Sequence, residues 1–282
     1  MPPLGELVPK VILSDCKSWE EIGKWFFNLS KDCVEETEEI KNCVIKLTEK
    51  KSFEDKIKSI YHYICKNIRY VGLEMGIHGY KPHKASDVFK FKYGDCKDKS
   101  LLMITMLKIA GIPSYPVLIN THTKIIPEIP SPGQFNHAIV AIPYKEKFLF
   151  LDPTSEVFKF PQLPPSDQNR FCLIARKEKP IFIKTPLSDS TTNLRRRIIK
   201  AEIDKEGNLY AEVKVEPYGI YEAGLREGFR YLKEIERRRM LERELNRIFP
   251  RTELLNLSIK GLGDLSSNLE ENYSFKTSGY GT

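Results

Sequence analysis

Three polar side chains in separate segments of the sequence are of the types that thiol catalysis requires: Cys96, His137 and Asp152. A cysteine attacks a carbonyl carbon as the thiolate, and a histidine can take up a proton and return it. A carboxylate can orient that histidine and stabilise its charged form. The three residues therefore predict a nucleophile, a base and an orienting group, provided that the fold brings them together.

Cys96 lies at the start of a predicted helix. Asp95 is a typical N-cap residue and Asp98 a typical first-turn acid, and the apolar residues of 101–110 fall on nearly every side of the helix until Gly111 ends it. The free N–H groups and the dipole of the first turn favour an anion, so we expect a reactive thiolate with an oxyanion-binding N–H beside it. Standing alone, Cys96 would more simply be an inert core cysteine.

His137 and Asp152 fall on two strand-like segments that are separated by the four residues 143–146. If Ile142 pairs with Lys147, the antiparallel register places His137 directly opposite Asp152 on one face of the sheet. We expect the carboxylate to accept the Nδ1–H of the imidazole, which leaves Nε2 to face the thiol. The alternative is a structural histidine–aspartate contact at the end of a hairpin.

The composition indicates a globular chain without an obvious charged partner or cofactor. It has 282 residues, and 41% of them are hydrophobic. The net charge is only +7, and the 45 basic residues are scattered among 38 acidic ones, so we do not expect nucleic acid to bind. The six cysteines form no C-x-x-C pair or regular framework. No transmembrane segment or signal peptide is recognisable, and we expect no cofactor and no metal.

The first hundred residues are predicted to be mainly helical. After a short strand over 6–14, capping boxes that begin at Ser18 and Ser52 each predict the start of an amphipathic helix, and 72–92 reads as a long loop. Strand patterns follow over Tyr115–Asn120, His137–Ile142 and Phe148–Leu151. The sequence therefore predicts an α+β fold in which a buried helix packs on an antiparallel sheet.

A change of pattern near residue 188 predicts two domains, 1–188 and 189–282. The second is predicted to contain a hairpin around a turn at 204–208, one amphipathic helix over Ile220–Ile248 and two further strands. We expect the last strand, which begins near Tyr273, to lack a partner. On that ground we predict that the chain is part of a longer multi-domain protein.

Three motifs of the sequence resemble those of the transglutaminase-like superfamily, and they read YGDCKDKSLLMITMLKIAGIP, FNHAIVAI and FLDPTSEV. More closely, Val8 to Pro186 resembles the thiol-enzyme core of large bacterial proteins that carry a β-rich domain on each side. The resemblance implies a papain-type core over 1–188 followed by a partial β-rich domain over 189–282. It also implies that Cys96 is the nucleophile, His137 the base and Asp152 the orienting residue, and that parent proteins are commonly exported, for example to the periplasm.

The sequence also departs from the family pattern. Many animal transglutaminases have tryptophan directly after the nucleophile, whereas this chain has Lys97, and no calcium-binding loop pattern is present. Calcium-activated protein crosslinking is therefore not expected. The side chain that would complete an oxyanion hole is not fixed by the sequence, and Tyr70, Tyr93 and Asn136 are the candidates.

Three functions are consistent with these residues. The first is a cysteine-dependent amide hydrolase or acyl transferase that forms a thioester on a peptide or other amide-containing substrate, with peptidase or amidase activity favoured because water needs no second binding site. The second is a catalytically idle module that binds peptide or cell-wall material. The third is a metal site built from the same three residues with His78 or His83, although these two histidines are more simply expected to hold the loop through backbone hydrogen bonds.

Overall fold

The computed structural model describes residues 11–72 and 74–281. The chain divides into two compact units, one of Met1–Glu156 with Phe160–Ser188 and the other of Val157–Lys159 with Asp189–Thr282. Among the described residues, no helix is both long and apolar enough to cross a membrane. The α+β fold class is confirmed, since the first unit packs helices on an antiparallel sheet and the second combines a sheet with two helices.

Three amphipathic helices open the first unit. The Ser18 hydroxyl accepts from the N–H of Glu21 at the start of the first, and Ser52 caps the third in the same way, so both predicted helix starts are confirmed. The acidic halves of the predicted boxes differ, since the Glu21 carboxylate accepts from the N–H of Lys17 and the Asp55 carboxylate from the Ser52 hydroxyl. The predicted strand over 6–14 is wrong at 11–14, which have no regular structure, and its remainder lies outside the described residues. The helices are α1 (Trp19–Ser30), α2 (Glu38–Thr48) and α3 (Phe53–Asn67).

The loop that was predicted over 72–92 contains short regular pieces. Strand β1 (Arg69–Tyr70) pairs in parallel with β2 (Tyr93–Gly94), and this pairing closes the loop at its base. Within it lie a 3-10 turn at Gly76–Gly79 and helix α4 (Ala85–Phe91). The pairing fixes the chain immediately before Cys96.

Helix α5 (Cys96–Ile109) is the buried centre of the first unit. Every residue from Cys96 to Leu107 is buried, as the apolar pattern of the sequence predicts. The Ser100 hydroxyl donates to the carbonyl of Ala138 at 3.0 Å and so ties the helix to the sheet.

The sheet of the first unit has five antiparallel strands in the order β5-β4-β3-β6-β7. The outer pair β6 and β7 was not predicted, because its strands are only four residues long and carry no strong turn signal. The strands are β3 (Tyr115–Ile119), β4 (His137–Tyr144), β5 (Lys147–Leu151), β6 (Phe171–Ile174) and β7 (Ile181–Lys184).

The register of the β4–β5 hairpin differs from the prediction by two residues. Tyr144 pairs with Lys147 across a two-residue turn, whereas we expected Ile142 to pair with Lys147. His137 is therefore not directly opposite Asp152. Because side chains in a strand alternate with a period of two, a two-residue displacement still leaves both side chains on the same face.

Pro143 explains the error in the register. A proline lacks the N–H of a central strand residue, so the sequence places it in the turn. In the structure the pairing of β4 with β3 ends at Ala141, and Pro143 pairs only with Phe148 of β5. At this position the missing N–H costs little, and the strand continues to Tyr144.

The second unit contains a four-stranded antiparallel sheet in the order β10-β11-β9-β8. The last strand lies between two neighbours, so the prediction that it lacks a partner is wrong. The predicted helix Ile220–Ile248 is also wrong in one respect, since it is two helices separated by residues 230–233. The elements are β8 (Arg195–Ile203), β9 (Leu209–Pro217), α6 (Ile220–Phe229), α7 (Glu234–Ile248), β10 (Thr252–Lys260) and β11 (Glu270–Thr277).

Candidate active site

Cys96 is the first residue of α5. The Asp95 carboxylate accepts from the N–H groups of Lys97 and Asp98 at 3.1 and 3.3 Å, and the Asp98 carboxylate accepts from the N–H of Asp95 at 3.2 Å. This reciprocal capping box fixes the first turn and leaves the N–H of Cys96 itself uncapped by Asp95. The sulfur therefore lies at the positive end of the helix dipole, where an anion is stabilised.

A cleft of about 400 Å³ gives access to Cys96, whose exposed fraction is 9%. Its walls include His137 and the aromatic residues Trp25, Tyr80 and Phe135. Both the volume and the largely apolar lining with a few polar groups are common for substrate sites. The thiol is thus shielded from bulk water but open to a ligand that enters the cleft.

His137 and Asp152 meet where the neighbouring strands β4 and β5 begin and end, respectively. His137 is the first residue of β4, and Asp152 directly follows the end of β5. The Nε2 atom of the imidazole lies 3.3 Å from Oδ2 of Asp152. The other oxygen, Oδ1, accepts from the N–H and the hydroxyl of Thr154 at 2.8 and 2.7 Å. The carboxylate is therefore held at both ends.

The imidazole ring is turned the other way from the sequence prediction. We expected Nδ1 to face Asp152, but Nε2 does, so Nδ1 is the nitrogen that remains for a thiol. Strand register determines which side chains are neighbours, whereas the orientation of the ring depends on the side-chain torsions. The sequence could therefore predict that His137 contacts Asp152, but not which ring nitrogen makes the contact.

The histidine and the aspartate stabilise each other's charged forms. Burial alone would lower the pKa of His137, but the charge of Asp152 and hydrogen bonds with Asp152 and Cys96 outweigh burial and raise this pKa well above its ordinary value. Burial would raise the pKa of Asp152, yet the charge of His137 and the donors of His137 and Thr154 hold it below its ordinary value. A carboxylate beside an imidazolium results, and a nearby positive ring favours a thiolate.

The remaining buried cysteines lie in different surroundings. Burial raises the pKa of Cys65 and of Cys172 to about 12, and it also raises the pKa of Cys33. None of these three is part of the cleft that contains Cys96. Burial therefore disfavours the thiolate form of these three cysteines.

This difference predicts that Cys96 reacts with iodoacetamide faster than the other cysteines near neutral pH. A helix N-terminus and an adjacent imidazolium favour its thiolate, and the cleft gives the reagent access. Peptide mapping after brief exposure is the measurement. If Cys33 or Cys172 is alkylated as fast as Cys96, the activated nucleophile is refuted.

The two histidines of the long loop do not join Cys96. Their rings stack on each other with centroids 3.9 Å apart. His78 contacts the carbonyl of Lys81 at 3.0 Å, as expected for a backbone hydrogen bond. His83 instead contacts a side chain, because its N–H and its Nδ1 lie 2.8 and 3.1 Å from the two oxygens of Asp98. They hold the loop against the first turn of α5.

The metal site that combines Cys96 with a loop histidine is therefore not assembled. Within the described residues, the ligand-type atoms that converge belong to His137, Asp152 and Asp167, and they lie within 4.8 Å of one another. We do not assign them to a metal, because the facing atoms of His137 and Asp152 are already hydrogen-bonded to each other.

Of the three candidates for an oxyanion donor, Asn136 lines the cleft that contains Cys96, whereas Tyr70 interacts electrostatically with Cys96. Burial, and next the charge of Cys96, raise the pKa of Tyr70 to about 12, so its hydroxyl stays protonated and lies in the electrostatic field of the sulfur. The amide nitrogen of Asn136 lies 2.7 Å from Nδ1 of His122 and is occupied there.

Several buried polar residues around the site were not predicted to be buried. Lys97 forms an ion pair with Asp95, and the Lys99 ammonium donates to the carbonyl of Ile68 at 2.6 Å. Asp167 lies beside Asp152 with an exposed fraction of 1%. No motif in the sequence marks Asp167, and the only signal that could have found it is an acidic residue between two short apolar segments.

Comparison with known proteins finds a family match over part of the chain. Residues 41–153 match the sequence profile of the transglutaminase-like superfamily. This range includes Cys96, His137 and Asp152. No curated protein matches the chain.

Two solved structures are similar to the chain at low sequence identity. A candidate protease from Parabacteroides distasonis is 13% identical with a TM-score of 0.45 over 91% of this chain, and a candidate cysteine protease from Cytophaga hutchinsonii is 17% identical with a TM-score of 0.32 over 44% of it. The chain spans 52% and 41% of the lengths of these two proteins. Similarity this weak does not bear on the reaction.

Proposed function

We propose that this protein is a thiol enzyme that cleaves or exchanges amide bonds through Cys96, since residues 41–153 match the transglutaminase-like superfamily. In this proposal His137 is the base and Asp152 orients it. The observation that carries the proposal is that a helix N-terminal cysteine and His137 line one cleft, and that the ring of His137 is hydrogen-bonded to Asp152.

The proposed first step is attack of the Cys96 thiolate on the carbonyl carbon of an amide. The carbonyl π electrons move to the oxygen, and the resulting oxyanion accepts from the free N–H of Cys96. The hydroxyl of Tyr70 is the candidate for a second donor. His137, as the imidazolium, gives its proton to the leaving nitrogen, the C–N bond breaks, and a thioester remains on Cys96.

The proposed second step regenerates the thiol site. His137, now neutral, removes a proton from water or from an amine, which attacks the thioester carbonyl. The C–S bond breaks, and the sulfur leaves as the thiolate beside the imidazolium. Asp152 carries its charge throughout and keeps the ring in one orientation. We favour water as the acceptor, hence peptidase or amidase activity, because transfer to an amine needs a second binding site.

A peptide or another amide-containing polymer fits the proposed cleft. Several aromatic residues line it, and these can pack against the flat amides and apolar side chains of a peptide. On the family resemblance we further propose that the chain is part of an exported bacterial multi-domain protein. Any activity or partner of that whole protein is likewise proposed from the resemblance.

The test is a screen of mixed peptides and cell-wall fragments with a mass-spectrometric readout. The chain and its Cys96→Ala variant are incubated side by side, and Cys16→Ala is the matched control because Cys16 is only partly buried and lies outside the cleft. Products that appear with the chain and with Cys16→Ala, but not with Cys96→Ala, support the proposal. Binding without any product would favour the idle binding module.

A further inference from the structure

A second carboxyl group lies beneath the histidine–aspartate pair. Asp167 ends the 3-10 turn Pro165–Asp167, and its Oδ1 accepts from the hydroxyl of Ser166 at 2.8 Å. The carbonyl of Asp167 accepts from the hydroxyl of Thr185, which also bonds the backbone of Arg170. The side chain is thus held in place by its own loop and is closed to solvent.

The two carboxyl groups and the imidazole converge on one small volume. One oxygen of Asp167, one oxygen of Asp152 and a ring nitrogen of His137 all lie within 4.8 Å of one another. Oδ2 of Asp167 is fully buried, and among the described residues it has no hydrogen-bond donor. Such an atom is costly to bury as part of a carboxylate, because nothing replaces the water that it has lost.

A proton on Asp167 removes this cost. Two carboxylates this close in a buried site repel each other, so one of them retains a proton. Asp152 has the imidazole of His137 and both donors of Thr154, which favour its ionised form. Within the part of the chain that the structure describes, the Asp167 carboxyl has a single hydroxyl donor, from Ser166, and it is the group that takes the proton.

The other titratable groups near the pair do not supply a charge that would change this assignment. Tyr61 of α3 is fully buried and interacts with both carboxyl groups, and burial raises its pKa well above the ordinary value, so it stays neutral. Cys65 of α3 is neutral for the same reason. The Lys99 ammonium of α5 donates to a backbone carbonyl and interacts with the charge of Asp152, so it favours the ionised form of Asp152. Burial, followed by the charge of Asp152, raises the pKa of Asp167 to about 7.

We propose that Asp167 is a positioning residue of the thiol site: as a neutral carboxylic acid it donates a hydrogen bond to Asp152 and holds that carboxylate against His137. The inference rests on the proposed function in naming the site that is positioned. Above neutral pH the proton is lost, and a second negative charge then lies next to the pair.

The test compares two substitutions of Asp167. Asparagine keeps a hydrogen-bond donor but cannot titrate, whereas alanine has no donor. In the folded wild type Asp167 keeps its proton up to about pH 7, whereas in the unfolded chain it loses the proton above about pH 4. The free energy of unfolding of the wild type therefore falls as the pH rises from 4 to 7, relative to that of a variant that does not titrate. The Tm of Asp167→Asn minus that of wild type is therefore expected to grow by about 5 °C from pH 5 to pH 8.

Alkylation of Cys96 by iodoacetamide at pH 6 is the second readout. Asp167→Asn is expected to react within about twofold of wild type and Asp167→Ala about tenfold more slowly, as for the loss of one buried hydrogen bond to a charged group. Glu271→Gln is the control, because it alters another buried acid in the second unit and is expected to leave the rate unchanged.

A Tm difference that is constant from pH 5 to pH 8 would overturn the proposal, since Asp167 would then not hold the proton. An Asp167→Asn variant that reacts as slowly as Asp167→Ala would overturn the donated hydrogen bond. If Asp167→Ala does not fold, the pH dependence of Asp167→Asn decides alone. If Cys96 is unreactive even in wild type, the proposed function fails. The pH dependence of the Tm difference between Asp167→Asn and wild type still shows whether Asp167 holds a proton.

Discussion

Cys96→Ala is expected to lower kcat/KM for an amide substrate by at least about 10⁴-fold, because the variant has no atom that can form the thioester. No other described cysteine lies in the cleft with His137, so no neighbour can replace the sulfur. The fold should persist, since alanine is smaller than cysteine and a good helix former. The measurement is steady-state turnover of a substrate found by the screen, with circular dichroism to verify the fold.

Cys96→Ser is the matched comparison for this variant. The serine hydroxyl has nearly the size of the thiol and can form a hydrogen bond with His137. It is a far weaker nucleophile, because it does not ionise beside an imidazolium as a thiol does. We expect it to lose nearly as much activity as Cys96→Ala while binding substrate normally. Residual activity of one tenth or more in Cys96→Ala would exclude Cys96 as the nucleophile.

The second large effect is expected from Asp152→Asn, which should lower kcat/KM at least about a hundredfold at neutral pH. The negative charge of Asp152 raises the pKa of His137 against the opposing effect of burial. Without that charge the pKa of His137 falls, so the imidazolium is lost at a lower pH than in wild type. The alkaline limb of the pH–rate profile is therefore expected to move to lower pH.

Asp167→Asn is the control for Asp152→Asn, because it makes the same chemical change on a buried aspartate of the same cluster. We expect it to keep most activity, since the proposed role of Asp167 requires only a donor. Equal losses in the two variants would indicate that both act by disturbing the packing. An Asp152→Asn variant whose pH–rate profile is unchanged would contradict the role of Asp152 as the group that charges the ring.

The helix that carries Cys96 could be predicted from the sequence because its determinants are local. An N-cap aspartate, an acidic residue three positions later and a terminating glycine all act within one or two turns. The same holds for the helices that follow Ser18 and Ser52. The helix over Ile220–Ile248 was predicted as one piece because its apolar pattern continues across the break at 230–233.

The neighbourhood of His137 and Asp152 could be predicted, but its detail could not. The face of the sheet follows from strand alternation and tolerates a two-residue error in register. The ring orientation and the length of the turn depend on torsions that a hydrophobic pattern does not encode. The pairing of β11 on both sides was missed because strand order is a property of the whole sheet.

The buried polar groups around the site were the least predictable part. Lys99 and Asp167 have exposed fractions of 0% and 1%, although lysine and aspartate are among the residues that are usually exposed. Their burial depends on partners that come from distant segments, such as the carbonyl of Ile68 for Lys99. A single sequence does not specify which distant groups meet.

Whether Cys96 is the nucleophile is tested most directly by identifying the residue that becomes acylated. The chain is mixed with p-nitrophenyl acetate, quenched in acid within the first turnover, digested and analysed by mass spectrometry. We expect one acetyl group in thioester linkage on Cys96, absent from Cys96→Ala and slower to form in Asp152→Asn. Acetylation of a different cysteine, or of lysines alone with Cys96 left unmodified, would contradict this prediction.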